Sequence, residues 1–400
     1  MSLRHRCRRL ERCHLIVVGG VGRARGEAMA RLLSESNVEL AGVAADLVDI
    51  PVLRHYLSLV LPLEVHSTRA GGGLGSVDVV VCHHEQPGFL RLAVRMAEET
   101  GSRSVAILQL PPFYGDAARA RRIAESYRLF YELARRYAGV EGLAAKVYYG
   151  GLHPLRELAE RRLLESYLSR LDLVLAVSPS IPLEMGEPWS DRVVAMRYWA
   201  GVDEDLVGAL RRWRALRRPS GDLVSFAARV VPSKGVGDLL LAWRLVRRWS
   251  RRRARLLVLG KATLRRRRFI EKVARGLGIE DSVVVAGYVG GDEFWRLRAS
   301  STLMIYPSHE DSYSYSVFES LMMGVPVVAY DIPALRLSYE GSQGLHLVPE
   351  GDVEALAQRA VEVLEKPGVV EEEPFFKTWS EVAREEEAVL RAVAARGKLI

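Results

Sequence analysis

Two short stretches of this 400-residue chain carry residue types whose spacing suits chemistry. The first is Ala227-Ala228-Arg229-Val230-Val231-Pro232-Ser233-Lys234-Gly235, which follows an apolar strand and precedes a helix starting near Gly237. Arg229 brings a planar guanidinium fork and Lys234 a point charge. At the carboxyl end of a strand, beside a helix N-terminus, such a pair can grip both phosphates of a nucleoside diphosphate and neutralise a leaving group's growing charge. The competing reading is an exposed loop with two solvated charges.

The second stretch runs Tyr306-Pro307-Ser308-His309-Glu310-Asp311-Ser312-Tyr313-Ser314-Tyr315-Ser316-Val317-Phe318-Glu319 and on to Gly324-Val325-Pro326-Val327-Val328-Ala329. A strand ends at Pro307, a polar loop follows, and a helix begins near Ser314. The unpaired N–H groups of that helix start would favour an anionic diphosphate. Asp311 lies just before the helix and Glu319 on its second turn, so the two carboxylates can accept from hydroxyls on different parts of one extended ligand, sugar hydroxyls above all. A helix merely capped by Asp311 or Ser314, with Glu319 in solvent, is the alternative.

The elements around these stretches predict an α/β fold. Short apolar strands at Leu15–Val18, Leu40–Ala45, Val77–Val81, Ser104–Leu108, Leu171–Val177 and Val193–Met196 alternate with helical periods such as Phe89–Glu99. After Pro219-Ser220-Gly221-Asp222 the alternation restarts with strands from Leu223 to Tyr330 and helices from Gly237 to Leu364. Buried-type strands separated by amphipathic helices form parallel, doubly wound sheets. The expected organisation is a Rossmann-like domain over residues 1–205 with a helical insertion at about 117–170, a linker at 206–221 overlapping a charged helical stretch over 204–217, a second Rossmann-like domain over 222–366, and a C-terminal helix in 367–400, the two domains facing a cleft.

Composition narrows the class. The chain is 49% hydrophobic and 26% charged, enough to bury full cores. Its longest apolar runs fall short of the roughly 20 residues that span a bilayer, and Met1 to Glu11 leads into glycines rather than a cleavage site. A soluble, cytoplasmic chain is expected. Cys7, Cys13 and Cys82 form no pair with metal-site spacing, so no metal is expected. The net charge is +8, and seven of the 57 basic residues are Lys. Arginines cluster at 211–218, 247–255 and 265–268 as solvated helix faces or anion-attracting patches. No aromatic-interleaved or zinc-finger pattern accompanies them, which argues against a nucleic-acid partner.

Taken together, Arg229, Lys234-Gly235, Pro307-Ser308 with Glu310 and Asp311, Glu319 and Gly324 to Ala329 resemble the retaining glycosyltransferases of the GT-B fold, family 4, the glycosyl transferases group 1 superfamily. The likeness covers residues 170–385, with Gly201-Val202-Asp203 and Trp379 also in place. It implies a GT-B arrangement, with the C-terminal helix in 367–400 crossing back to pack on the first domain, and transfer of a sugar from a nucleotide-diphosphate donor to an acceptor hydroxyl with retention, using no cofactor or metal. By that resemblance Arg229 and Lys234 bind the pyrophosphate, Glu319 the ribose, and the backbone at Ser314, Tyr315 and Ser316 the phosphate. Gly287, Tyr288 and Val289 line the base pocket. The position that meets the donor sugar falls on Asp311, one methylene shorter than the family's Glu, with Glu310 adjacent, which leaves open which of the two touches the sugar.

In the first half, Gly19, Gly20 and Gly22 resemble the family's glycine turn facing the donor phosphates. His83 and His84 sit where a His lies near the acceptor, with a satisfied structural histidine as the alternative. Gln109 stands where the family has a second His, and a Gln cannot shuttle a proton. The implied partners are the donor and an acceptor sugar or lipid-linked sugar. The Arg-rich helices at 117–170 are expected either to cover the acceptor site or to rest on an anionic membrane. A hydrolysing nucleotide-sugar epimerase and a catalytically silent nucleotide-sugar binder are the rival functions.

Overall fold

In a computed structural model of the chain the described residues are 13–18, 38–44, 77–138, 153–260, 262–368 and 370–395. They form two compact units, one built from residues 1–114, 157–204 and 376–400 and the other from 115–156 and 205–375.

The first unit carries a six-stranded, wholly parallel sheet of β1 (Cys13–Val18), β2 (Val38–Ala44), β3 (Val79–Cys82), β4 (Arg103–Leu108), β5 (Leu173–Ala176) and β6 (Val193–Ala195), in the spatial order β2-β1-β3-β4-β5-β6. Val79, Val80 and Val81 are buried on both faces, as a strand covered by helices on either side must be. Helix α1 (Pro87–Thr100) starts on a proline, whose missing N–H costs nothing there, and ends at left-handed Gly101, whose N–H closes on the Ala97 carbonyl. Its Leu90 and Ala93 enter the core beside Ile107 and Leu175. The C-terminal helix Trp379–Ala395 adds Val382 and Leu390 to the same core. Its entry is pinned by reciprocal backbone bonds, Val202 N–H to Lys377 O at 2.9 Å and Trp379 N–H to Val202 O at 3.1 Å.

The second unit carries β7 (Leu223–Ala227), β8 (Arg255–Leu259), β9 (Val283–Gly287), β10 (Leu303–Tyr306), β11 (Val327–Tyr330) and β12 (Leu345–Val348), all parallel, in the order β12-β11-β10-β7-β8-β9. From β7 the chain winds outward through β8 and β9, then returns to β10 on the other side of β7. The carboxyl ends of β7 and β10 therefore flank the point where the winding reverses, where an open α/β sheet leaves a crevice for a ligand. Helices α2 (Ala117–Ala138), α3 (Val236–Trp249), α4 (Leu264–Leu277), α5 (Gly291–Ala299), α6 (Tyr315–Met322) and α7 (Val353–Glu365) belong to this unit.

One expectation is corrected here. Helix α2, expected within the N-terminal domain, packs on the second unit. Phe130, Leu133 and Ala134 turn inward, and Phe130 stacks on Phe269 of α4 with ring centroids 4.2 Å apart. Gly276 lets the two helices close, since a Cβ there would lie 2.0 Å from the Tyr137 ring. The apolar stripe of α2 is thus spent on protein packing. The segment expected as a linker from 206 is largely the helix Glu204–Ala215, matching the helical pattern of the sequence there. Its Arg214 donates to the carbonyls of Val370 and Glu371 at 2.5 Å each, and its Arg211 forks onto Glu373. Among the described residues no helix is long and apolar enough to cross a membrane.

Burying Phe130 between helices sets a measurable expectation. Phe130→Ala should destabilise the second unit by about 3–5 kcal/mol. Hydrogen exchange should accelerate across α2, α3 and α4 while β3 and β4 of the first unit keep wild-type protection; acceleration in the first unit instead would show that α2 belongs there.

Candidate functional site

At the carboxyl end of β7 the chain turns through a short 3₁₀ segment, Pro232–Lys234, and leaves it at Gly235 with φ 67°. Proline pre-sets the entry and glycine supplies the left-handed exit. Gly235 also has a steric duty. A Cβ on it would sit 1.8 Å from the Pro307 carbonyl oxygen, so the loops after β7 and β10 approach backbone to backbone at this residue. Two bonds hold the approach: the His309 N–H donates to Ser233 O at 2.9 Å, and the Ser316 hydroxyl to the Ala227 carbonyl.

This closeness brings two of the expected residues, Lys234 and Asp311, together. Lys234, 9% exposed, donates to the Glu310 carbonyl at 2.5 Å and to Asp311 Oδ2 at 2.9 Å. The Tyr306 hydroxyl donates to the same Asp311 oxygen at 2.6 Å. Burial works against the ammonium, but Asp311, Tyr306 and Glu310 outweigh it and lift Lys234 above its ordinary value, so it stays charged. Burial and the Asp311 charge push the Tyr306 phenol up to about 12, which keeps it a donor. An ammonium has three protons. Two of those on Lys234 are spent, and the third has no partner among the described residues. Arg229 is exposed, and its side chain makes no hydrogen bond or ion pair with the described residues. The Glu310 side chain stands partly exposed beside this pair.

Helix α6 begins where the second loop ends. Ser314 is its N-cap, with its hydroxyl accepting from Val317 N–H at 3.3 Å, which settles the capping role on Ser314 rather than Asp311. Tyr315 and Ser316 form the first turn, whose N–H groups have no acceptor inside an α-helix. Tyr315 is exposed and edge-stacked on Tyr313 at 5.3 Å. Glu319 is not a solvated surface carboxylate: Oε2 is paired with Arg298, a guanidinium 1% exposed that reaches from α5 and also donates to Ser316 O at 2.7 Å and Ser320 Oγ at 2.9 Å. Oε1 of Glu319 has no partner among the described residues. Gly287, in the left-handed region at φ 71°, closes β9, followed by Tyr288, 73% exposed, and Val289.

The first-half candidates divide. Gly19, Gly20 and Gly22 lie outside the described residues. His83, expected on the acceptor side, is 2% exposed and faces Glu386 of the C-terminal helix at 3.0 Å, so it belongs to the interior of its unit. His84 remains half-buried at the rim, its Nδ1 accepting from Gln86 N–H at 3.2 Å. Gln109 is drawn toward it by Glu85, whose Oε2 accepts the backbone N–H groups of Gln109 and Leu110 at 3.0 and 3.4 Å. Sequence reasoning passed over Glu85, Tyr306 and Arg298. A tyrosine closing β10 two residues before a polar loop, and an arginine flanked by Leu297 and Ala299, were the available signals. Among the described residues no group of three His, Cys, Asp or Glu side chains could hold a metal ion.

Residues 221–366 match the family described as glycosyl transferases group 1. A D-inositol 3-phosphate glycosyltransferase of Saccharomonospora viridis is 29% identical over 52% of this chain and 46% of its own length, and one of Frankia alni is 29% identical over 56% and 52%. The chain thus spans about half the length of the curated relatives it matches. Among solved structures, Anabaena HepE in complex with UDP covers 96% of this chain and 97% of its own at a TM-score of 0.57 and 13% identity. Sucrose-phosphate synthase of Thermosynechococcus elongatus covers 96% of each at 0.60 and 14%. These likenesses show the fold, two Rossmann-like domains of the GT-B class.

The Arg298–Glu319 pair can be tested without any ligand. Arg298→Leu strands a partly buried carboxylate and should cost about 3–5 kcal/mol in denaturant unfolding. Adding Glu319→Gln should recover part of that loss, and strict additivity of the two changes would show the pair to be energetically idle.

Proposed function

We propose that this chain, which over residues 221–366 belongs to the glycosyl transferases group 1 family, moves a sugar from a nucleotide-diphosphate sugar to an acceptor hydroxyl with retention at the anomeric carbon. The observation that carries this reading is the cation pair at the winding reversal of the second sheet: Lys234 buried against Asp311 with one proton to spare, and Arg229 exposed with no partner among the described residues. In the reaction the anomeric carbon–oxygen bond to the diphosphate breaks and a bond to the acceptor oxygen forms. The acceptor's proton passes to the departing diphosphate oxygen, on which negative charge grows as the bond breaks. Arg229, the third Lys234 proton and the first-turn N–H groups of α6 meet that charge without help from a divalent ion. Glu319 Oε1 takes a ribose hydroxyl, and Gly287, Tyr288 and Val289 border the base.

In this scheme Asp311 positions the donor and is not assigned as a covalent nucleophile. One of its oxygens already accepts from both Lys234 and Tyr306. Its other oxygen, or the neighbouring Glu310, takes a hydroxyl of the donor sugar. On the acceptor side, His84 and Gln109 are the candidates that stay at the rim of the first sheet, and the acceptor class is a sugar or lipid-linked sugar.

A thermal-shift screen of nucleotide sugars, followed by turnover with and without acceptors, tests the reading. One nucleotide class should raise the melting midpoint, transfer should require an acceptor, and Lys234→Ala should lower kcat by roughly 10²–10³-fold. Donor conversion without acceptor would instead identify a hydrolysing epimerase, and binding without turnover a silent nucleotide-sugar binder.

A further inference from the structure

His309 is a buried side chain that the proposed transfer does not use, and it is held from every side. Its backbone N–H donates to Ser233 O at 2.9 Å, and its carbonyl accepts from Arg119 Nη2 of α2 at 2.6 Å. Nδ1 of the ring lies 2.9 Å from Glu350 Oε1, just beyond β12, and Nε2 lies 3.4 Å from Asp238 Oδ2 on α3. Tyr330, at the end of β11, tilts against the ring with centroids 5.1 Å apart and donates its hydroxyl to Asp238 Oδ1 at 3.0 Å. Arg119 also pairs with Glu350. Asp238, Glu350, Arg119 and Tyr330 are thus the charged or titratable groups facing the imidazole, from α3, the β12 exit, α2 and β11.

Both ring nitrogens face carboxylates. A neutral imidazole has one N–H, so either tautomer would turn a lone pair toward an anion inside the protein. The doubly protonated ring satisfies both, and the cluster then holds two cations and two anions. His309 also stands one residue-to-residue bond from Ser233, the neighbour of Lys234, and two residues before Asp311 in sequence.

We infer that His309, as an imidazolium braced by Asp238, Glu350 and Arg119, is a positioning residue that holds the Lys234 turn and the Asp311 loop in register, so that the donor's diphosphate meets a preformed site. The inference rests on the proposed nucleotide-sugar reading for its effect on binding, but its structural half stands apart from it.

The charge state has a direction in pH. Burial disfavours the cation, yet the two carboxylates outweigh burial and raise the imidazole to about 9. Burial likewise works against the Glu350 anion, while His309 and Arg119 hold its carboxyl below the ordinary range. A folded value raised above the unfolded 6.5 means that the brace contributes fully below that pH and is lost as pH rises through about 9.

The first measurement is made on the wild-type protein by ¹⁵N-histidine NMR between pH 6 and 10. The His309 ring should remain doubly protonated at pH 7.5 and titrate near 9; a neutral tautomer at pH 7 would overturn the inference. The second compares His309→Gln with wild type by hydrogen exchange at pH 7.5. Exchange across residues 307–314 should quicken at least about tenfold while β7 and β8 keep their protection, and wild-type protection of that loop would overturn the inference. The third measures calorimetric binding of UDP, GDP, ADP and dTDP. The nucleotide that binds wild type should bind His309→Gln at least about tenfold more weakly, and unchanged affinity would overturn the inference. If none binds wild type, the nucleotide-sugar reading fails, while the exchange result still decides the brace.

Discussion

A buried ammonium is the constraint around which the second unit is organised. Taking Lys234 out of water costs several kcal/mol unless it keeps its charge partners, and Asp311 and the Glu310 carbonyl supply them from a loop 76 and 77 residues further along the chain. That requirement fixes how near the exits of β7 and β10 must come. The nearness in turn demands Gly235, because any Cβ there would run into the Pro307 carbonyl. The strand order does the rest: β10 returns to pair with β7, so two loops distant in sequence open side by side.

Charge balance then singles out where a ligand belongs. Lys234 is matched by Asp311, Arg298 by Glu319, and the His309 and Arg119 cations by Asp238 and Glu350. Each buried set closes on itself, as low-dielectric surroundings require. Arg229 and the first turn of α6 remain outside this matching, both at the same end of the sheet. A region that is neutral in its interior and positive at its mouth suits an entering dianion, because binding then completes the electrostatics without stripping any internal pair.

Much of this was legible in the sequence, and the illegible parts have physical reasons. Alternating apolar runs and amphipathic helices give both sheets, since parallel strands buried on two faces read as continuous Val, Leu and Ile. The loops that bear Arg229, Lys234, Asp311 and Glu319 could be found because glycine, proline and polar residues punctuate strand ends. Helix α2 could not be assigned to a sheet, because an amphipathic face states that it is buried and not against what. Phe130 chooses Phe269 only in three dimensions. Arg298 was hidden among fifty arginines; its burial depends on α5 lying against α6. For His83 and His84 the difficulty was parity, as adjacent residues at a strand end face opposite ways, and which one turns inward depends on the C-terminal helix that brings Glu386.

The first sheet repeats the geometric logic with different chemistry. Its order reverses at β1 and β3, so the exit of β3 lies at its winding reversal as the exit of β7 does in the second. Among the described residues at the exits of β3 and β4 no pair of cations stands. His84 accepts the Gln86 N–H at Nδ1, which in the neutral ring places the proton on Nε2, while Glu85 gathers two backbone N–H groups from the exit of β4. An imidazole N–H, a carboxamide at Gln109 and an oriented carboxylate form a set of single, directional donors and acceptors, which suits hydroxyl groups and offers a dianion little. Among the described residues the two sheets therefore differ in what their strand exits carry: charge at β7 and β10, directional hydrogen bonds at β3 and β4.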